Sequence, residues 1–135
     1  MAGYSGTPLA QKLGIKAGMT ILAMSEPRDY AALLGPLPTG TSIVAKSKPG
    51  EAEMVHLFVP SLLALQKQLP LARRAMATDG AIWVSWYKMS AKIETDVTED
   101  AIRALALKTD LVDVKVCAVT DIWSGLKLVV RKHLR

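Results

Sequence analysis

Short apolar runs alternate with turn-forming residues along this chain, and their periods predict alternating strands and helices. Thr20 to Met24 (TILAM), Ser42 to Lys46 (SIVAK), Glu53 to Val59 (EMVHLFV) and Ala81 to Tyr87 (AIWVSWY) have strand length. The third run is nearly continuous apolar, the pattern of a strand buried on both faces in a helix-covered parallel sheet. Helices are expected between them. One opens at Pro8 and stops at Gly14, and another runs from near Asp29 through Leu34 to Gly35 and Pro36. Ser61 to Met76 is the clearest helical stretch, with Leu62, Leu65, Leu69, Ala72 and Met76 at three- and four-residue steps. Within it Pro70 kinks the helix or starts a second one, and Asp79-Gly80 closes the unit. Asp96 or Thr98 suits the N-cap of a further helix carrying Ala101, Ile102, Leu105 and Leu107, with Glu99 and Asp100 at its positive end.

The last quarter changes period. Val112, Val114 and Val116 alternate with Asp113 and Lys115, turn residues follow at Thr120 to Gly125, and Leu126 to Arg131 returns as an antiparallel partner. The whole pattern predicts an α/β fold in one domain over residues 1–135, with a lead-in at 1–18 and a core at 20–132. The expected architecture is a Rossmann-like three-layer sandwich, its mostly parallel sheet of about six strands ending in an antiparallel hairpin.

Composition narrows the class. A chain of 135 residues, half of them hydrophobic, is long enough for one core and too apolar for disorder. No apolar run approaches the roughly 20 residues of a membrane helix, so no membrane association is expected. The start of the chain lacks the apolar core of a signal peptide, and a cytoplasmic location is expected. A single Cys117, with His56 and His133 far apart in sequence, offers neither a disulfide framework nor a metal-ligand spacing. The net charge of +5 is spread along the chain except for Arg131, Lys132, His133 and Arg135, and no helix-turn-helix, RNP or zinc-finger pattern accompanies it. Nucleic acid is therefore not an expected partner.

Segments of the second half resemble class I S-adenosylmethionine-dependent methyltransferases. EMVHLFVPS resembles their fourth strand, LPLARRAMATDGAIWVSWYK their following helix, glycine turn and fifth strand, and LVDVKVCAV with WSGLKLVVRK their terminal antiparallel pair, over roughly 53–132. The whole chain also resembles a family of small uncharacterised bacterial proteins with a truncated methyltransferase-like fold, through KLGIKAGM (12–19), AIWVSWYK (81–88) and WSGLKLVVRK (123–132). The departures bear on function. The turn that is Gly-rich in those enzymes reads MSEPRDY, and the acidic residue that holds the ribose is replaced by Ala45-Lys46-Ser47. A strand and its preceding helix are missing as well. No cofactor is expected.

Side-chain chemistry is sparse. His56 sits mid-strand and reads as a hydrogen-bonded core histidine, and Cys117 as a buried, inert thiol. In open sheets of this kind ligands bind beyond the carboxyl ends of the strands, where strand order reverses, here between the first and third strands. That rim draws on Ser25, Glu26, Arg28, Pro60, Ser61 and the segment from Trp86 to Lys92. Candidate ligand-binding residues are Arg28, Ser61, Trp86, Lys88 and Lys92: the cations attract an anion, the helix start at Ser61 offers N–H donors, and Trp86 or Tyr87 stacks on a planar group. Trp123, at the hairpin turn, either covers the sheet edge or anchors a partner interface. The leading expectation is a non-catalytic domain that binds a ligand or a protein without S-adenosylmethionine. The alternatives are an enzyme acting on a small anionic substrate at the strand ends, and a scaffold that self-associates through the hairpin into a homo-oligomer.

Overall fold

A computed structural model describes residues 7–135. Six strands form one sheet in the order β2-β1-β3-β4-β6-β5. They are β1 (Thr20–Met24), β2 (Ser42–Val44), β3 (Ala52–Phe58), β4 (Met76–Tyr87), β5 (Leu111–Ala118) and β6 (Trp123–Val130). The helices are α1 (Leu9–Leu13), α2 (Tyr30–Leu34), α3 (Leu62–Ala75) and α4 (Glu99–Leu107). β1, β2, β3 and β4 run parallel, β6 is antiparallel to β4, and β5 is antiparallel to β6.

The expected Rossmann-like three-layer sandwich is not the fold. The antiparallel ladders hold as many paired positions as the parallel ones, so the sheet is mixed rather than mostly parallel. Helical cover is also thin, because two of the helices have only five residues each. The arrangement is α+β. Its physical origin is the β5–β6 hairpin, which adds two long antiparallel strands beside β4 without a crossover helix between them.

Two apolar layers flank the sheet. Val55 and Leu57 of β3 and Ile82, Val84 and Trp86 of β4 face α3 and α4, whose Leu65, Leu69, Ala72, Ile102 and Ala106 complete that layer. Met54, Phe58 and Trp83 face the opposite way, onto Leu9, Leu13, Ile15, Tyr30 and Leu34. β3 is buried along its interior on both faces, as its continuous apolar run implies. The lead-in is part of this core: α1 ends at Gly14 in the left-handed region (φ 79°), and the Trp83 indole donates to the Leu13 carbonyl at 3.0 Å. The first six residues of that lead-in lie outside the described residues.

Three local expectations change. α3 is one continuous helix through Pro70, which sits at an exposed position where the Gln66 carbonyl it cannot serve meets water. β4 starts directly at Met76, and Asp79-Gly80 forms a bulge within it rather than a closing turn. A second bulge, between Asp113 and Lys115, puts Val112 and Val116 on opposite faces of β5 and breaks the alternation read from sequence.

Candidate ligand-binding site

The parallel strands end together at Met24, Phe58 and Tyr87, and the strand order reverses between β1 and β3. The residues expected to share one rim there are distributed over three places. Arg28 is exposed on the β1–α2 turn and lines a recess of about 390 Å³ with Glu26, Pro27, Tyr30 and Ile43. Ser61 is committed to its own helix: its hydroxyl caps α3 by accepting from the Ala64 N–H at 3.1 Å. The next donor, the Leu62 N–H, is taken by the Asp96 carboxylate at 2.7 Å, so the positive end of α3 already holds an anion supplied by the protein. Asp96 thus caps α3, while Thr98 caps α4 by accepting from the Ala101 N–H. Thr95 ties the same segment down by donating to the Pro60 carbonyl at 2.8 Å.

Trp86, Lys88 and Lys92 do come together. They line a cavity of about 840 Å³ between the end of β4, the loop that follows it and the start of α4. This is the upper part of the range typical of small-molecule pockets. Trp86 and Val97 are buried against the α3–α4 layer, and the cavity also takes in Ile93, Thr98 and Ser124. Apolar side chains stay in water at its mouth: Met89 is 97% exposed and Ile93 41%. Lys92 adopts a left-handed conformation (φ 55°) that closes the 3₁₀ turn at Met89–Ala91, bending the loop around the opening. Lys88 is half-buried, and among the described residues neither lysine joins an ion pair; Glu99, which also lines the cavity, is held by Arg103. Arg103 also grips Asp100 and Asp113.

Sequence reasoning does not reach Ile93, Val97 and Ser124. Ser124 joins the cavity because β6 pairs with β4 in a register that sets it opposite Trp86, a non-local match that no window of sequence displays. Val97 carried a signal, being the one apolar residue inside an acidic and hydroxyl-rich stretch.

On the other face lies a buried polar chain. The Tyr30 hydroxyl is 2.9 Å from His56 Nδ1, and His56 Nε2 is 2.7 Å from the Ser85 hydroxyl, with all three residues buried. Burial pushes the His56 imidazole down to about 3, so it stays neutral and shares its hydrogen bonds within the chain. Burial, with the Glu26 charge adding to it, raises the Tyr30 phenol well above its ordinary value. His56 also stacks on Phe58 with ring centres 4.3 Å apart. It lies wholly in the core and lines neither recess.

Trp123 is half-buried, stacked on Tyr87 at 4.3 Å and set edge-on to Phe58 at 5.0 Å. Tyr87 thus lays one ring face on Trp123 while it also lines the cavity. The half-buried Cys117 thiol is raised by burial, against the opposing pull of Lys12, Lys115 and Lys88. In the basic tail, Arg131 donates to the Leu107 carbonyl and Arg135 to the Val130 carbonyl, so both guanidinium groups are tied to the fold's own backbone. No helix among the described residues is long and apolar enough to cross a membrane.

No family model matches the chain, and a search of curated proteins finds no match. Among solved structures, one described as a pericyclic reaction enzyme is similar at a TM-score of 0.48 and 14% identity. The alignment covers 93% of this chain and 47% of that one, so this chain spans about half of its length. Ser25, at φ 57°, fills the turn after β1 with a side chain bonded to Gln68 of α3 at 3.2 Å. Beyond β2, Lys46 is exposed.

Proposed function

We propose that this domain is a non-catalytic binding module that holds a small organic ligand in the cavity at the end of β4. The observation that carries the reading is the cavity itself. It combines ligand-sized volume with a lining that holds the largely buried Trp86 and Val97 beside the polar Lys88, Lys92, Thr98 and Ser124. The imidazole in the core, His56, is fully enclosed and bonded through both ring nitrogens, which supports a structural part for it rather than acid–base work in the cavity. Arg28 faces a separate recess and Ser61 is engaged by its helix, so Trp86, Lys88 and Lys92 remain from the expected site.

Neutral indole is a direct probe, because its flat apolar ring suits Trp86 without using charge. In backbone NMR titrations it is expected to give saturable shifts centred on Trp86 to Glu99 and on Ser124. Shifts spread evenly over the surface, or none at millimolar indole, would overturn the reading.

A further inference from the structure

The charges around this cavity are unequal in their availability. Glu99 is engaged by Arg103, which also binds Asp100 and Asp113. Among the described residues Lys88 and Lys92 have no such partner. The acidic residues of the lining are Glu94 and Glu99, of which Glu99 is the one held by Arg103. The anion that would ordinarily be drawn to the nearby start of α3 is excluded there, because Asp96 occupies it. An incoming negative group therefore meets Lys88 and Lys92 in a cavity whose lining also includes the apolar Trp86, Val97 and Ile93.

From this arrangement we infer that the cavity selects an amphipathic organic anion: a flat apolar body laid against Trp86 and Val97, with a carboxylate or comparable single anionic group between Lys88 and Lys92. The inference rests on the cavity being the ligand site and adds the sign and shape of what enters it. A small inorganic anion would satisfy the lysines and leave the apolar lining wet. An organic cation would meet two lysine ammonium groups and the Glu94 carboxylate.

Three probes that share one ring system and differ in charge separate these cases: indole-3-propionate, indole and tryptamine. Each is titrated into the full chain and into the Lys88→Ala/Lys92→Ala variant, with binding read by NMR shifts and calorimetry. Indole-3-propionate is expected to bind about tenfold more tightly than indole, with tryptamine no tighter than indole. That advantage, taken as the ratio of the two affinities in the same protein, should vanish in the double variant and should shrink as salt is added. If tryptamine binds most tightly, or if the propionate advantage survives in the variant, the inference is overturned while the cavity reading stands. If none of the three produces saturable shifts at the cavity, both fall. Neither lysine belongs to the buried core, so the variant should fold; an unchanged thermal midpoint verifies this in the same samples.

Discussion

At the scale of single residues, His56 sets a pH dependence that can be measured without knowing the ligand. In the unfolded chain an imidazole takes up a proton near its ordinary value of about 6.5. In the fold, burial holds His56 to about 3. Between these values the unfolded state binds more protons, so stability is complete above about pH 6.5 and is lost as the pH falls toward 3. Urea unfolding at pH 7, 6 and 5 should show this loss, approaching about 1.4 kcal/mol per pH unit below the upper value. The His56→Gln variant should have a nearly flat profile over the same range, and an equal slope in both proteins would contradict the assignment. Gly80 makes a second prediction at this scale. A methyl group added there would lie 2.5 Å from the Glu53 carbonyl oxygen, backbone against backbone, with no flexible side chain to yield. Gly80→Ala should therefore destabilise the fold by about 1–3 kcal/mol in urea, and a wild-type midpoint would count against the close approach. The core role of His56 was legible in sequence from its mid-strand place between Val55 and Leu57. Its partners Tyr30 and Ser85 were not, because 26 and 29 residues separate them from it and only the fold joins them.

Among the elements, the loop between β4 and α4 does the most to define the site. Its acidic stretch reads as helix capping, and it is that, but for two helices at once. Thr98 caps α4, and Asp96 reaches across to α3, a contact over 34 residues of chain that no local pattern signals. Asp96→Ala should cost about 1 kcal/mol, the usual worth of a cap, and should speed hydrogen exchange at the Leu62 amide. Unchanged protection at Leu62 would show that the carboxylate does not hold this end of α3. Strand and helix positions were read well wherever one period ran unbroken, as in Thr20 to Met24 and along α3. The errors fall at bulges. At Asp79-Gly80 a turn signal serves an irregular strand, and at Val114 one extra residue reverses the faces of everything after it.

On the scale of the whole molecule, the same hairpin that overturns the parallel-sheet expectation completes the cavity. β6 lies beside β4 and brings Ser124 to Trp86, while β5 becomes an open edge. That edge carries exposed Val114 and Val116, but its bulge and the exposed Lys115 blunt it against strand pairing. The chain is expected to sediment as a monomer, and a dimer dissolved by Val116→Lys would favour the scaffold reading instead. The candidate site was legible in part, as the strand-end segment holding Trp86, Lys88 and Lys92. The separation of Arg28 and the engagement of Ser61 follow from three-dimensional neighbours and could not be read in advance. The central claim is that the space at the end of β4 is where a ligand sits, and blocking that space tests it most directly. Ser124→Phe places a ring in the cavity opposite Trp86 from a half-buried strand position. The affinity of the folded variant for indole-3-propionate should fall at least about tenfold, with the Tm within a few degrees of wild type. An unchanged Kd in the folded variant would place the binding elsewhere and contradict the account.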